Sequence, residues 1–292
     1  MLTEKLLNHL SAKLSGKLTT ATTIRSFRPV SGGDINQAYR LESNNGTFFI
    51  KVNNASRYPA MFETEARGLE LLGKAGELTV PEVILHGALD DTAYLMLNFI
   101  HQSTQMHGFW DAFGNGLARL HKHSWNGFGL DHDNYIGSLP QSNTPQQSWA
   151  GFYSEERLRP QINMAQKNGF IDTFTVNQFE ALFTQLENIF PEEPPSLVHG
   201  DLWGGNYMCG PQGEPVIIDP AVYYGHREMD LGMTRLFGGF HDRFYRSYNE
   251  QYPLSPGWEE RLDICNLYPL MVHVNLFGPG YAGSVKSILS RF

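Results

Sequence analysis

The runs Leu197-Val198-His199-Gly200-Asp201-Leu202-Trp203-Gly204-Gly205-Asn206 and Val216-Ile217-Ile218-Asp219-Pro220 set the frame for the rest of the chain. The first is a short apolar segment ending in a loop that carries a carboxylate, Asp201, and five residues later a carboxamide, Asn206. The second is an apolar, β-branched, strand-like run with a carboxylate, Asp219, at its end. A solvated Gly/Asp turn between two strands would account for His-Gly-Asp alone. It does not account for a carboxamide and a strand-borne carboxylate at these offsets.

Kinases use this order of groups. One carboxylate accepts the proton of the substrate hydroxyl, while the amide and the second carboxylate hold magnesium against the nucleotide phosphates. The His-x-Asp-x-x-x-x-Asn spacing matches a protein-kinase catalytic loop, and Asp219 falls where the second metal aspartate belongs. Asp201 is therefore expected to be the base and Asn206 and Asp219 the metal ligands, with ATP and Mg²⁺ as cofactors.

Working upstream, Thr47-Phe48-Phe49-Ile50-Lys51-Val52 reads as an aromatic, β-branched strand with one lysine near its end. Such a lysine is usually an edge or surface residue. Here it precedes a helix, Phe62 to Leu72, whose stripe of Phe62, Ala66, Leu69 and Leu72 recurs at helical spacing. Glu65 sits beside that stripe and is expected to reach Lys51, an ion pair that sets a lysine on nucleotide phosphates. Glu63 is the other candidate. Phe27 to Val30 and Ala38 to Leu41 read as strands around Ser31-Gly32-Gly33-Asp34-Ile35-Asn36. There Gly32 and Gly33 could press backbone N–H groups onto phosphates, and a plain hairpin explains them equally well. Leu2, Leu6, Leu7, Leu10 and Leu14 predict an amphipathic N-terminal helix. Val80 to Leu85 and Ala93 to Leu97 read as the last strands of this half. Asn98-Phe99-Ile100 then connects to the second half and, by position alone, would offer backbone groups to an adenine edge.

Downstream, Phe109 to His121 is expected to be helical, Asp131 to Thr144 a long loop, and Trp149 to Ile162 and Phe179 to Ile189 two further helices. Pro191, Pro194 and Pro195 stop the last of these. His121, His123 and His132 lack partners at helical ligand spacing and do not read as a metal site. His226 to Met233 begins a helix in which Asp230 is expected to accept N–H bonds and brace the Asp201 loop, with substrate contact as the alternative. Trp258 to Phe292 reads as two helices around Phe277-Gly278-Pro279-Gly280.

Composition bounds the reading. At 292 residues, with 41% hydrophobic and 18% charged residues, the chain reads as a globular protein of two lobes or one large domain. A formal charge of −8 argues against a nucleic-acid partner and mildly suits a cationic substrate, although solubility explains it as well. Cys209 and Cys265 lie 56 positions apart without paired Cys/His spacing, as in a reduced chain with no thiolate metal site. No targeting segment is visible, and apolar runs such as Ala93 to Leu97 are too short to cross a bilayer. The expectation is a cytoplasmic protein with no membrane partner.

Taken together, these residues resemble the fructosamine/ketosamine-3-kinase family, a branch of the aminoglycoside-phosphotransferase and protein-kinase-like superfamily, over nearly the whole chain. Trp203 within His-Gly-Asp-Leu-Trp-Gly-Gly-Asn is typical of that branch. Asp133 to Asn143 resembles its middle signature, and Trp149 to Gln161 the helix that follows. Asp219 to Glu228 and Asn275-Leu276-Phe277-Gly278 resemble the later ones. Asp34 departs from the cysteine that many members carry in the Gly-rich loop, which removes any thiol control there.

The resemblance implies an α+β, two-lobed protein-kinase-like fold. A small N-lobe antiparallel sheet with one main helix would span residues 1–97, a hinge 98–101, and a larger, mainly helical C-lobe 102–292. It also implies ATP-dependent phosphorylation of the 3-hydroxyl of ketosamines, either small molecules or glycated protein lysines. The phosphorylated adduct decomposes and frees the amine. Trp203 and Tyr135 would form an apolar floor for the sugar, although Trp203 packing the loop against the core is an equal reading. An aminoglycoside- or choline-type phosphotransferase and a non-catalytic nucleotide-binding scaffold are the alternatives.

Overall fold

The computed structural model describes residues 2–30 and 35–292. Chain entry is the helix α1 (Glu4–Leu18), capped by Thr3, whose Oγ1 accepts the Leu6 N–H at 3.3 Å. Its Leu6, Leu10 and Leu14 are buried with Leu41, Ile50 and Met96. Each such leucine contributes about 2 kcal/mol by leaving water. Strands β1 (Ile24–Pro29), β2 (Gln37–Ser43) and β3 (Gly46–Asn54) follow, then α2 (Met61–Ala75), β4 (Val83–Leu89) and β5 (Thr92–Asn98). The sheet is antiparallel with order β1-β2-β3-β5-β4, so β3 is central. Alternation along β3 sends Phe48, Ile50 and Val52 to the α1 side, while Phe49 packs with the cluster beneath α2. Lys51, paired across the sheet with Ala38 and Leu95, shares the Phe49 side. α2 buries Met61, Phe62, Ala66 and Leu69 against Leu95 and Leu97. The strand expected from Val80 starts only at Val83, because Pro81 has no N–H for the ladder.

The C-terminal part opens with α3 (Phe109–Leu120). The expected loop 131–144 holds a hairpin, β6 (Asn134–Ile136) and β7 (Leu139–Gln141). Next come α4 (Trp149–Phe152), a π-helical stretch at Tyr153–Leu158, and α5 (Arg159–Lys167). The helix expected over 179–189 is two pieces, α6 (Thr173–Phe183) and α7 (Leu186–Ile189). Short strands β8 (Ser196–Val198), β9 (Tyr207–Cys209), β10 (Pro215–Ile217) and β11 (Tyr223–Gly225) pair as β8/β11 and β9/β10. The remainder is α8 (Glu228–Leu236), α9 (Asp242–Gln251), α10 (Trp258–Cys265), α11 (Leu267–Phe277) and α12 (Ala282–Leu289). Two helices were expected after residue 258 and three are present. Pro269, in the first turn of α11, is tolerated there because that N–H has no intrahelical partner. α9 was not expected at all. It packs on α3 through rings such as Phe113 and Phe244, with centroids 5.3 Å apart. Among the described residues, no helix is long and apolar enough to cross a membrane. The protein is thus a two-lobed α+β molecule of kinase-like fold.

Candidate active site

The loop after β8 is held from below by one buried carboxylate. Asp230 of α8 accepts the N–H groups of His199 at 2.7 Å and Gly200 at 2.9 Å. It also meets His121 Nε2 at 3.1 Å, and His121 Nδ1 meets the Tyr248 hydroxyl at 2.8 Å. Burial works to raise the Asp230 pKa, but the His121 ring and the loop amides outweigh it and hold the carboxyl below its ordinary value. Asp230 therefore braces the loop and, at 1% exposure, takes no part in the cavity lining. His199 is buried, which depresses its pKa and keeps it neutral. Its Nε2 donates to Ile218 C=O at 2.9 Å, and Nδ1 accepts the Asp201 N–H at 3.2 Å. Gly200 has φ +84°, and a Cβ there would lie 2.1 Å from Ala221 O. No other residue fits between the two strands at that point.

Around this support the five expected side chains meet. Asn206 Nδ2 donates to Asp201 Oδ2 and to the Asp201 carbonyl, both at 2.8 Å. Lys51 Nζ lies 2.8 Å from Glu65 Oε1 and 2.6 Å from Asp219 Oδ1. Glu63, the other candidate, is exposed on α2. Burial alone would lower the Lys51 pKa, but the Asp219 and Glu65 carboxylates outweigh it and raise it, so the ammonium is kept charged. Burial in the cleft, then the Asp219 charge, push Asp201 up to about 7, against the pull of Asn206. Asp219 sits at φ +54°, a left-handed conformation that an aspartate tolerates better than most residues. Backbone bonds on both sides fix it, Ile218 N–H to Asn206 C=O at 3.0 Å and Ala221 N–H to His199 C=O at 2.9 Å.

The donor set fits a hard divalent cation. With its amide nitrogen bound to Asp201, Asn206 keeps a carbonyl oxygen to offer, and the Asp219 side chain is 41% exposed to the cleft. Among the described residues, no group of three or more His, Cys, Asp or Glu side chains forms a metal cage. Two protein oxygens completed by phosphates and water are what Mg²⁺ uses at nucleotide sites.

A cavity of about 700 Å³ opens over these groups. One wall comes from the sheet and α2, and the other carries rings. Trp203, 38% exposed, meets Phe237 edge-on at 6.1 Å, and Phe237 lies 4.8 Å from the His273 ring. Tyr135 lines the same cavity while its hydroxyl donates to Pro59 C=O at 3.0 Å. Met233, Phe237 and His273 were not expected at the site; Phe277 was quoted from the sequence, within Asn275-Leu276-Phe277-Gly278, but without a site role.

In the expected connector Asn98-Phe99-Ile100, two of the three amides are already paired. The Asn98 N–H is bonded to Glu82 C=O at 3.0 Å and the Phe99 N–H to Thr47 C=O at 3.3 Å, so neither amide is free for a base. None of Asn98, Phe99 and Ile100 lines the cavity. Gly32 and Gly33 lie outside the described residues.

A small antiparallel sheet presenting a Lys–Glu pair, set over a helical lobe with an Asp/Asn loop and a second aspartate, defines a kinase-like phosphotransferase. A model of the fructosamine kinase family matches residues 6–292. The chain is 40% identical over 273 residues to a probable ketoamine kinase of Lactiplantibacillus plantarum, covering 93% of this chain and 95% of that one. It is 39% identical over 282 residues to the chloroplastic protein-ribulosamine 3-kinase of Arabidopsis thaliana, covering 95% and 84%. A solved structure from Haemophilus somnus, provisionally assigned as a fructosamine-3-kinase, superposes with a TM-score of 0.88 at 29% identity, over 97% and 96% of the two chains. The chain belongs to the fructosamine kinase family and is a phosphotransferase of that family.

Proposed function

We propose that the protein is an ATP- and Mg²⁺-dependent ketosamine 3-kinase. Its substrate is the sugar adduct left on an amine by glycation, carried by a small molecule or by a protein lysine, in a reducing cytoplasmic compartment. The convergence of Lys51, Glu65, Asp201, Asn206 and Asp219 in one cleft supports this most directly. In this reading Asp201 accepts the proton of the attacking 3-hydroxyl. Asn206 and Asp219 would hold Mg²⁺, which would supply positive charge to the nucleotide phosphates. Lys51, steadied by Glu65, lies against the same phosphates. Because the transition state is loose, positioning and electrostatics supply most of the rate. Residues 1–97 and 102–292 form the two lobes, with 98–101 between them.

The acceptor half of the cavity favours a ketosamine over a polycationic aminoglycoside. Among the described lining residues the only carboxylates are Glu65, Asp201 and Asp219, all of which already have roles on the nucleotide side or as base. The rings of Trp203 and Tyr135 offer flat apolar surface to a sugar face instead.

Incubation with ATP, Mg²⁺ and ribulosyl-lysine, fructosyl-lysine or an aminoglycoside, each followed by phosphorus NMR, tests the reading. A new ester on the 3-oxygen of at least one ketosamine is expected, with none on an aminoglycoside. Turnover confined to the aminoglycoside, or to neither class, would refute it.

A further inference from the structure

The β6–β7 hairpin carries no group of the phosphoryl-transfer set, yet its inward side chains are buried carboxamides. Asn134, Gln141 and Asn143 are 5%, 1% and 1% exposed. Asn134 and Gln141 face each other across the hairpin. Asn134 Nδ2 donates to Val222 C=O at 2.8 Å, and Gln141 Nε2 donates to Ala221 C=O at 3.2 Å and to Asn134 Oδ1 at 2.7 Å. Those two carbonyls belong to the residues that follow Asp219-Pro220.

The carboxamides are themselves oriented from outside. Asn143 Nδ2 donates to Asn134 Oδ1 at 3.0 Å, and Arg157 Nη2 to Asn143 Oδ1 at 2.6 Å. From α11, the Tyr268 hydroxyl donates to Gln141 Oε1 at 2.7 Å. An amide held at both ends has one orientation, so its bond to the 221–222 backbone has one geometry.

The same hairpin region reaches the small lobe. Tyr135 on β6 bonds Pro59 C=O, and Asp131 just before β6 pairs with Arg67 of α2 at 3.1 Å. Gly68 of α2 lies so near Val222 that a Cβ there would meet its side chain at 3.1 Å. The helix carrying Glu65 and the segment carrying Asp219 therefore rest on one support.

We infer that Asn134 and Gln141 are positioning residues for Asp219: through the Ala221 and Val222 carbonyls they clamp the metal-binding segment and tie it to α2. The inference rests on the reading of Asp219 as a Mg²⁺ ligand. Loosening the clamp populates conformers with Asp219 displaced, and the apparent cation affinity falls by the fraction that remains competent.

The test is calorimetric titration of Mg²⁺ into the full chain saturated with ADP, with a thermal melt of every variant. Gln141→Leu removes the donor to Ala221 and is expected to weaken Mg²⁺ roughly ten-fold. Tyr268→Phe keeps the shape of the side chain, removes only the bond orienting Gln141, and is expected to weaken it about three-fold. Asp172→Ala deletes the N-cap of α6, and should lower the melting temperature with Mg²⁺ affinity unchanged. Should Gln141→Leu fail to fold, Tyr268→Phe decides. Asp219→Asn is titrated in parallel and should weaken Mg²⁺. Wild-type affinity in the folded hairpin variants, with affinity lost in Asp219→Asn, overturns the clamp alone. Wild-type affinity in Asp219→Asn overturns the metal-site reading and the clamp with it.

Discussion

At the scale of single residues, the proposed role of Asp201 as base sets two opposed demands. A base must be ionised to accept a proton, but burial and the Asp219 charge push its pKa from the ordinary 3.8 up to about 7. A carboxyl raised in the fold contributes stability that is fully present below 3.8 and is lost as pH rises through about 7. Ionised Asp201 is therefore a local cost accepted for function. Asp201→Asn should cut turnover about 10³-fold. In the metal- and nucleotide-free protein it should also melt higher than wild type at pH 8, a difference that shrinks towards pH 4. Steady-state rates and melts across that range check both parts. The meeting of these side chains was legible in the sequence because it depends on spacing: Asp201 and Asn206 share one loop, and Asp219 lies two residues past β10. His121 beneath Asp230 was not, since nothing local links positions 109 apart.

At the scale of elements, long periodic segments were legible and short or polar ones were not. α1, β3 and α2 follow their leucine and aromatic patterns closely. The β6–β7 hairpin has strands of only three residues, with Gly137 in the turn and Pro140 in β7, too short for alternation to register, so it read as loop. In α9 the aromatic stripe of Phe244, Tyr245 and Tyr248 lies among charged and polar residues. The junction of β11 and α8 gives a pH prediction. His226 is wholly buried against Trp149 and Phe190, with Glu193, Arg227, Glu228 and Arg261 around it. Burial, then Arg227 and Arg261, hold its pKa near 4 against an ordinary 6.5, despite the pull of Glu193. Between those values the unfolded chain binds the proton and the fold does not, so stability is full above 6.5 and falls as pH drops towards 4. The loss amounts to about 3 kcal/mol. His226→Gln should remove that part of the acid sensitivity, and denaturant unfolding of both proteins at pH 7 and pH 4 would measure it. An equal loss in both would count against it.

At the scale of the whole molecule, the central claim is that groups from both lobes serve one triphosphate. Lys51 comes from the middle strand of the small sheet and meets Asp219, 168 residues further on, at 2.6 Å. The fold class and this convergence were readable in advance; the aromatic wall of Phe237 and His273 was not, because rings on α11 and at the end of α8 become a wall only once the helices pack. The most direct measurement is ATP affinity by titration, with and without Mg²⁺, for wild type, Lys51→Met and Asp219→Asn, the last chosen because asparagine tolerates the positive φ. Lys51→Met should weaken ATP roughly ten-fold in both conditions, about 1.4 kcal/mol, while Asp219→Asn should abolish most of the gain that Mg²⁺ gives. Full magnesium dependence in Asp219→Asn, or unchanged affinity in Lys51→Met, would contradict the account.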